Sequence, residues 1–423
     1  MKIVFFAKDL PPSDDKPGLT SAYSQCTYEL LSRLIKQTDH EFHILSTVGL
    51  EQHDTTLKIG GKEIPCYCGL GDKIAPVDRL NEIERRINPD LYFFWYDAWC
   101  LPDEFFDSPI AQKLLYYAAL DFYPFPQRVV TNLNKCLGVI TMVNWAKKIL
   151  KEENKLQNVL GYIYHGCSPK FRPLGKSKTE IIKNNLAIRK SLGADEDSFL
   201  ILMVFNNQTR KNISQMFEGI AIFRQQNPDI KLRVYCHSQH NISNSYNLIE
   251  LANYYHIDDI MNIPNPTQYY LGKYTQEDLN KIYNVSNLLL NVQMEGFGCP
   301  TIESMATGTP VIGLNVGATK ELMQPFLPEL LVPAKTWYTF PPAMLRKPLP
   351  DPQDIANAIK YVYDKGAEYW FDRLYKAEIG KKFNWDEIAK LWVKALNMCE
   401  ELLDRKCLKM PKPNISEKVI EYE

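Results

Sequence analysis

The first half of the chain alternates short apolar runs with longer stretches in which apolar residues recur about every 3.6 positions. The runs are typical of buried parallel strands, and the longer stretches are typical of helices that cross back over a sheet. In the first longer stretch, Thr20 or Ser21 is suited to cap the start of the helix. The strands predicted for this half are Lys2–Ala7, Glu41–Ser46, 91–95, 113–119 and 138–142.

A second series of the same kind begins at Phe199. After Pro352 the pattern becomes helical, with apolar stripes that include Ile359 and Trp392. Two doubly wound α/β units followed by helices are therefore predicted. The predicted strands of the second series are 199–205, 232–235, 287–292 and 310–314, and its predicted helices are 214–226, 248–255 and 301–307.

Length and pattern together predict an α/β protein of two Rossmann-like domains that face a cleft. The 423 residues exceed the roughly 100 to 200 residues of one usual domain. A stretch rich in Pro, Gly and Lys separates the two series. The predicted division is an N-terminal domain at 1–168, a linker at 169–197, a C-terminal domain at 198–365, helices at 366–405 that cross back to the N-terminal domain, and a charged tail at 406–423.

The composition is that of an ordinary globular protein without an overall electrostatic field. Hydrophobic residues make up 45% and charged residues 23%, and 49 Lys plus Arg balance 50 Asp plus Glu. This balance argues against nucleic acid as a partner. Only five apolar residues lie between Lys2 and Lys8, too few for a secretory signal, and no apolar run approaches the roughly 20 residues of a membrane span. We therefore expect a soluble, cytoplasmic protein that at most rests on a membrane surface.

The ten cysteines are scattered without the paired spacing of a disulfide framework or a zinc ribbon. Two small groups leave a metal role open: Cys66 with Cys68, and Cys236 with His237 and His240. No second pair follows the first group at ligand spacing, and the polar end of an apolar strand explains the second group. The sequence therefore predicts reduced thiols, no metal and no bound cofactor.

The most informative motif covers residues 295–312. It follows a predicted strand, which delivers its first glutamate to the carboxyl edge where open α/β sheets bind ligands. Its glycines permit close approach of backbone amides, and the start of the next helix would attract a diphosphate. A plain glycine-rich loop with a helix-capping Glu303 is the alternative. The candidate ligand-binding residues of this motif are Glu295, Gly296, Phe297, Gly298, Cys299, Pro300, Thr301 and Glu303.

Glu303 lies on the first turn of the predicted helix. Its carboxylate is placed to accept hydrogen bonds from sugar or ribose hydroxyls beside the diphosphate.

A second candidate site is the turn at 206–212, which directly follows the first strand of the second series. Its adjacent cations, Arg210 and Lys211, are unfavourable to crowd unless an anion lies close by, and a pyrophosphate is a suitable anion. A solvated turn before a helix is the alternative. Because this turn and Glu295 both follow strands of the same predicted sheet, we expect them on one edge, with Asn206 beside them.

The first series offers weaker signals. The loop at 11–21 carries one glycine, Gly18, which is a candidate ligand-binding residue, and lacks the G-x-G-x-x-G pattern of dinucleotide binders. This counts against an NAD-dependent oxidoreductase, which would also show changes in cofactor absorbance. Asp121 follows the strand at 113–119 and is a candidate catalytic residue facing the cleft, although an Asp before aromatic residues and Pro is equally typical of a turn.

Residues 295–312 resemble the signature of a large family of retaining glycosyltransferases, family four or glycosyl transferases group 1. In that signature two glutamates flank seven residues and precede an A-x-G-x-P-V-I stretch, matched here from Ala306 to Ile312. Three other segments are similar to segments of the family and occur in the same order. They are His-Gly-Cys-Ser-Pro-Lys-Phe-Arg-Pro at 165–173, Gln-Thr-Arg-Lys-Asn at 208–212 and Phe-Asn-Trp at 383–385.

The resemblance implies a glycosyltransferase B (GT-B) fold with the acceptor held mainly by the N-terminal domain. It implies that Lys211 and Arg210 steady the donor diphosphate, that Glu303 binds the ribose, and that Glu295 with the following amides holds the donor sugar. It also implies retention of anomeric configuration without a divalent metal. The charge argument agrees, since departure of a nucleoside diphosphate builds negative charge that cations and a helix dipole stabilise.

Three positions depart from the family pattern. Phe205 and Asn206 stand where the family usually has Gly-Arg, Leu120 stands where a His commonly precedes the acceptor-side Asp, and Gly18 is alone where two glycines are usual.

The resulting hypothesis is a retaining hexosyltransferase that uses a UDP-, GDP- or ADP-sugar and a glycan, lipid-linked or other hydroxyl acceptor. The alternative is a catalytically degraded protein of the same fold that binds sugar nucleotides or glycans.

Overall fold

The computed structural model describes residues 1–8, 10–16, 21–46, 53–69, 77–266, 274–340, 345–407 and 420. These residues form two compact units. Unit 1 comprises Met1–Gly166 and Phe383–Glu423, and unit 2 comprises Cys167–Lys382. The chain therefore leaves unit 1 once and returns to it near its C-terminus.

Unit 1 is built on an eight-stranded sheet with the order β3-β4-β2-β1-β5-β6-β7-β8. All neighbouring strands pair in parallel except β3 with β4, which form an antiparallel hairpin. The central strands are apolar along their whole length because both faces of a parallel sheet are covered. The strands are β1 Lys2–Ala7, β2 Glu41–Ser46, β3 Thr55–Ile59, β4 Lys62–Cys68, β5 Leu91–Asp97, β6 Leu114–Ala119, β7 Gly138–Thr141 and β8 Val159–Tyr162.

The helices of unit 1 connect these strands as the periodicity predicts. Helix α1 begins after Ser21, whose hydroxyl accepts a hydrogen bond from the backbone N–H of Ser24, so Ser21 is the cap. The helices are α1 Ala22–Gln37, α2 Val77–Ile87, α3 Asp103–Asp107, α4 Gln127–Leu133 and α5 Asn144–Lys148, with short 3-10 turns at Ala98–Cys100 and Pro109–Lys113 and a π-helical turn at Ile149–Glu153.

Unit 2 is built on a six-stranded, all-parallel sheet with the order β11-β10-β9-β12-β13-β14. A separate antiparallel hairpin follows it. Leu288, Leu289 and Leu290 are fully buried, which places the centre of the core at the middle of this sheet. The strands are β9 Phe199–Val204, β10 Leu232–His237, β11 Met261–Asn262, β12 Leu288–Asn291, β13 Val311–Leu314 and β14 Leu331–Val332, and the hairpin is β15 Ala334–Phe340 with β16 Leu345–Pro350.

The helices of unit 2 include the connections between its strands. They are α6 Lys178–Asn184, α7 Leu186–Ser191, α8 Ile213–Gln226, α9 Leu248–Tyr254, α10 Gln276–Val285, α11 Cys299–Ala306, α12 Gly317–Met323, α13 Pro352–Lys365, α14 Ala367–Ala377 and α15 Ile379–Lys382, with 3-10 turns at Thr209–Lys211, Asp258–Ile260 and Pro328–Leu330.

The last helix, α16 (Trp385–Cys407), belongs to unit 1. Trp392 is 1% exposed and packs edge-on against Phe93 and Tyr117, with ring centroids 4.9 and 4.7 Å apart. A Cβ atom added to Gly166 would meet the Trp385 ring at 2.4 Å, so only glycine fits there. The motifs that contain His165 and Trp385 in the sequence are thus brought together inside unit 1.

Two details of the predicted division differ from the structure. Residues 169–197 are part of unit 2 and contain the helices α6 and α7, so they are not a separate linker. Of the helices predicted to cross back, α14 and α15 stay in unit 2 and α16 alone joins unit 1. Within the predicted tail, helix α16 continues to Cys407 and residue 420 lies beside β8, while 408–419 and 421–423 lie outside the described residues.

Each sheet has one switch point, which is a pair of neighbouring strands from which the chain adds further strands in opposite directions. In unit 1 this switch point lies between β1 and β5, and in unit 2 it lies between β9 and β12. Open α/β sheets bind ligands at the carboxyl end of such a pair of strands, because the connecting loops diverge there and leave a crevice. The two switch points are therefore the first places to look for a functional site.

Candidate functional site

The switch point of unit 2 brings the two strongest sequence motifs together. The turn 206–212 follows β9, and the loop that starts at Val292 follows β12, the neighbouring strand of the same sheet. Strand β9 ends at Val204 and strand β12 ends at Asn291. The loops after both strands therefore open on one edge, as expected from the sequence.

Two buried asparagines hold the turn after β9 in place. The side-chain amide of Asn207 donates to the carbonyls of Gln239 and Tyr246, at 3.1 and 2.7 Å. Asn212 adopts a left-handed conformation with φ of 53°, and its amide donates to the carbonyls of Val292 and Pro348. These bonds fix the start of α8 against the end of β12, so the cations between the two asparagines have a defined position.

Lys211 and Glu295 form an ion pair across the switch point. The Nζ atom of Lys211 lies 2.5 Å from Oε1 of Glu295, and the two side chains are 10% and 20% exposed. Burial strengthens the attraction between the two charges but also costs desolvation, so the pair fixes the position of both groups more than it stabilises the fold. The structure thus joins two side chains that the sequence separates by 84 residues.

The loop after Glu295 leads directly into the N-terminus of α11. Gly298 precedes the helix with φ of 104°, a value that side-chain-bearing residues rarely adopt. Pro300 occupies the second helical position, where its missing N–H is not needed. Asn291 donates to the hydroxyl of Thr301 at 3.0 Å, which ties the helix start to the end of β12. The positive end of the α11 helix dipole favours an anion beside Glu295.

Glu303 is the fifth residue of α11, because the helix begins at Cys299 and not at Thr301. It therefore lies on the second turn, where the sequence predicted the first. Its Oε2 accepts a hydrogen bond of 2.9 Å from the hydroxyl of fully buried Tyr283. Burial raises the pKa of Glu303 to about 7, and the bond from Tyr283 lowers it by a smaller amount. Glu303 thus titrates near neutral pH.

Three buried amide side chains at this edge keep unused hydrogen-bonding atoms. The atoms are Oδ1 of Asn212, Oδ1 of Asn291 and both polar atoms of the Gln293 amide, and none has a partner within the described part of the chain. Each residue is at most 3% exposed. An unsatisfied buried polar atom costs about 1 to 3 kcal/mol, so the surroundings of the ion pair favour a polar ligand over an apolar one.

The remaining residues named for this site differ in exposure. Arg210 is half-buried and lies close enough to Tyr338 to affect the pKa of its hydroxyl. Asn206 is exposed at the end of β9. Phe297 is 4% exposed, so its ring belongs to the core. Gly296, Cys299 and Pro300 are half-buried along the loop and the helix start.

The candidate residues of the first series lie in unit 1. Asp121 is the second residue after β6 and is 2% exposed, and the preceding Leu120 is fully buried. Gly18 lies outside the described residues, so its predicted role has no structural counterpart here.

The two groups of Cys and His residues considered as metal ligands include buried residues of two strands. Cys66 and Cys68 belong to β4, while Cys236 and His237 end β10. Burial lowers the pKa of His237 to about 4. In the described ranges no three His, Cys, Asp or Glu side chains converge as metal ligands. No helix of these ranges has the length and apolar character to cross a bilayer.

Two features of the sites were not found from the sequence. Tyr283 supports Glu303 from α10, 20 residues away in sequence, and only the fold brings them together. Asp97 ends β5 at the switch point of unit 1. It is the first charged residue after the apolar run of that strand, and this position could have marked it as a candidate site residue.

A family model described as glycosyl transferases group 1 matches residues 184–365. The match lies within unit 2 and includes the ion pair and Glu303. An uncharacterized glycosyltransferase from Methanocaldococcus jannaschii is 23% identical over 269 residues, which cover 61% of this chain. The aligned part spans 60% of the length of that relative.

Solved structures agree with this chain over nearly its full length. Sucrose-phosphate synthase from Thermosynechococcus elongatus matches with a TM-score of 0.68 and 15% identity, over 94% of this chain and 99% of that protein. The Anabaena protein HepE in complex with UDP and glucose matches with a TM-score of 0.64 and 14% identity, over 94% and 100%. At such identities the likeness concerns the fold. The residues matched in unit 2 thus have the pattern of the glycosyl transferases of group 1, and the chain as a whole has the GT-B fold.

Proposed function

We propose that this protein is a retaining hexosyltransferase that moves a sugar from a UDP-, GDP- or ADP-sugar to an acceptor hydroxyl without a divalent metal. The observation that carries the proposal is the ion pair between Lys211 and Glu295 at the switch point of unit 2, directly before the N-terminus of α11. A cation, a carboxylate and a helix start within one loop cluster suit a substrate that separates into an anion and an electron-poor sugar.

The cations would act on the leaving group. When the bond from the anomeric carbon to the phosphate oxygen breaks, the electron pair stays on the diphosphate and its negative charge grows. Lys211, Arg210 and the positive end of the α11 dipole stabilise that charge. A diphosphate oxygen beside Nζ of Lys211 would compete with Glu295 for the same protons, which frees the carboxylate for the sugar.

The carboxylates would act on the sugar and the nucleoside. Glu295 accepts hydrogen bonds from donor-sugar hydroxyls and opposes the positive charge that develops on the ring. Glu303, on the second turn of α11, accepts from the ribose diol. The unused amide atoms of Asn291 and Gln293 offer further partners for hydroxyl groups. Asp121 of unit 1 is proposed to act on the acceptor hydroxyl.

UDP is the first nucleotide to test, because the Anabaena relative of this fold was solved with UDP and glucose. The full chain would be incubated with UDP-[14C]glucose, GDP-[14C]mannose or ADP-[14C]glucose, each with and without a mixture of hydroxyl acceptors. Release of the nucleoside diphosphate measures turnover, and the thermal shift caused by UDP, GDP or ADP measures binding. We expect slow hydrolysis of one donor and faster release when a suitable acceptor is present.

The other outcomes are equally specific. A thermal shift without turnover of any donor would identify a sugar-nucleotide binding protein, a reading that the exposed Asn206 in place of a cation supports. The absence of both would reject the proposal. Loss of activity in a chelator would reject the metal-independent mechanism, and an inverted anomeric signal in the NMR spectrum of the product would reject retention.

A further inference from the structure

We infer that unit 1 carries a binding site for a pyranose-type sugar ring at the carboxyl ends of β1 and β5. The inference rests on the proposed function, since the sugar held there would be the acceptor. It narrows the acceptor from any hydroxyl compound to a carbohydrate. The site is formed by Tyr23, Trp95, Asp97 and Trp99, which the function of unit 2 does not use.

The topology places these residues where a ligand is expected. Strand β5 pairs with β1 at the point where the order of the unit 1 sheet reverses. Asp97 is the last residue of β5, and Tyr23 lies in the first turn of α1, the helix that follows β1. The hydroxyl of Tyr23 donates to Oδ1 of Asp97 at 3.2 Å, so the loops after the two strands meet at that bond.

Tyr23, which donates to this carboxylate, lies within a group of aromatic rings. The ring of Tyr23 lies edge-on to Trp95 at 5.4 Å and tilted to Tyr96 at 5.5 Å. Trp99 follows in the 3-10 turn after β5 and is half-buried. Half-exposed aromatic rings next to a carboxylate are suited to a ligand with both C–H faces and hydroxyl groups, because the faces stack on the rings while the hydroxyls donate to the carboxylate.

Two indole N–H groups point to a hydrogen-bonding ligand independently of the carboxylate. The Nε1 atoms of Trp95 and Trp99 are buried and have no hydrogen-bond partner within the residues that the structure describes. Trp95 as a whole is 4% exposed. An indole N–H is only a donor, and a buried one usually finds an acceptor. Sugar hydroxyl and ring oxygens are acceptors, so they suit these two donors.

This set of groups favours a sugar over an alkyl chain. An alkyl alcohol has a single hydroxyl group, so some of Asp97 and the indole N–H groups would lie against its apolar chain, which is costly. A pyranose offers several hydroxyls around one ring and satisfies donors and the carboxylate together. Asp121, which follows the neighbouring strand β6, adds a second carboxylate close to the same edge.

Saturation-transfer NMR with the full chain in the presence of UDP would test the inference. The probes are methyl α-D-glucopyranoside, methyl α-D-mannopyranoside, N-acetylglucosamine and, as the apolar alcohol, decanol. We expect at least one pyranose to bind and Asp97→Asn to weaken it about tenfold, because a hydrogen bond to a charged group is lost. Tyr23→Phe removes the hydroxyl that orients Asp97, and we expect a smaller loss.

Tyr28→Phe is the matched control, since Tyr28 lies on the same helix and its hydroxyl also donates to an aspartate, Asp14, at 2.8 Å. Its sugar affinity should equal that of the wild type. Binding of decanol in preference to every pyranose, or equal sugar affinity in the wild type and Asp97→Asn, would overturn the inference. The thermal shift by UDP is measured on each variant. A UDP shift without pyranose binding rejects the sugar site alone, whereas absence of a shift with UDP, GDP and ADP in the wild type, together with no turnover of any donor, rejects the proposed function.

Discussion

The two units carry the same kind of sheet but differ in the chemistry of their switch points. Between β9 and β12 of unit 2 lie a buried ion pair, a left-handed glycine and a helix start. Between β1 and β5 of unit 1 lie aromatic rings, a carboxylate and two buried indole donors. Both sites occupy the position that the topology of a doubly wound sheet provides.

The difference shows that the fold supplies the location and the loops supply the chemistry. A leaving diphosphate needs fixed positive charge, and unit 2 provides Lys211 and a helix N-terminus for it. A neutral sugar needs ring faces and hydrogen-bonding groups, and unit 1 provides Tyr23, Trp99 and Asp97. If the two units have these separate roles, substitutions in unit 2 should affect nucleotide binding and turnover, while substitutions in unit 1 should affect sugar affinity.

The largest effect is expected for Lys211→Ala. Removal of the cation should lower kcat about 100-fold to 1,000-fold, a range typical for the loss of one group that stabilises charge in the transition state. The melting temperature should change little, since the partner Glu295 keeps 20% exposure to water. Donor hydrolysis and differential scanning calorimetry measure the two quantities.

Lys231→Ala is the matched control for this change. Lys231 also pairs with carboxylates in unit 2, but it precedes β10 and therefore lies at the amino edge of the same sheet. We expect normal turnover in this variant. If Lys211→Ala lost stability and activity in parallel, the lysine would be structural, and the contrast between the two switch points would lose its main support.

Gly298→Ala should produce the next largest effect. At φ of 104° any side chain strains the backbone, and the loss of folding free energy is expected at about 1 to 3 kcal/mol. The added Cβ meets Thr301 and Glu295 only at ordinary contact distances, so the strain comes from the backbone. Because the loop before α11 must shift to relieve it, UDP affinity should also fall, by about tenfold.

Gly366→Ala separates these two effects. Gly366 also has a positive φ, 79°, and nothing lies within 4 Å of an added Cβ. This variant should lose similar stability and keep the thermal shift caused by UDP. Equal loss of the UDP shift in both variants would mean that general destabilisation, and not the loop of the site, governs nucleotide binding.

Most of the fold follows from the sequence because a strand buried on both faces leaves an apolar run with clear ends. Strands Lys2–Ala7 and Glu41–Ser46 were predicted with their observed bounds. The hairpin of β3 and β4 was not found, since its strands carry Lys and Glu on their exposed sides and show no such run. The short helices at 178–191 were read as a linker for the same reason, because their apolar stripes are brief.

The candidate site was predicted only for residues that lie next to the end of a predicted strand. The residues Arg210, Lys211 and Glu295 follow strands, so their common edge could be inferred before any coordinates. The bond between Tyr283 and Glu303 could not, because it depends on how α10 packs beside α11. The sugar site of unit 1 was missed since tyrosine and tryptophan in an apolar run read as core residues.

The raised pKa of Glu303 gives the third prediction. With a pKa of about 7 against an ordinary 4.5, the carboxyl is mostly protonated at pH 6 and mostly ionised at pH 8. An ionised carboxylate accepts both ribose hydroxyls, so UDP affinity should rise between pH 6 and pH 8 by up to about tenfold relative to Glu303→Gln. UDP affinity is measured by titration calorimetry for both proteins at each pH, and the comparison removes the effect of the titration of UDP itself. If the affinities of the two proteins changed in parallel with pH, Glu303 would not belong to the site.

The same group predicts a stability change of defined sign. Since the folded-state pKa is raised above the unfolded value, Glu303 contributes stability below about pH 4.5, and this contribution is lost as the pH rises through about 7. The difference in unfolding free energy between the wild type and Glu303→Gln should therefore decline over that interval. A difference that grows with pH would mean that the fold stabilises the ionised form.

The smallest effect is expected for Asn206→Arg, which adds a cation at the end of β9. Asn206 is exposed, so the new charge would act through water and is worth about 1 kcal/mol, or about fivefold in UDP affinity. The gain should shrink in 1 M salt, where the Debye length is about 3 Å. Asn206→Gln adds length without charge and should show no gain. A gain in both variants would assign the effect to contact and not to charge. Higher UDP affinity for arginine alone would show that added positive charge at this edge of unit 2 strengthens binding. Unchanged UDP affinity would mean that Lys211 and the helix start already neutralise the diphosphate.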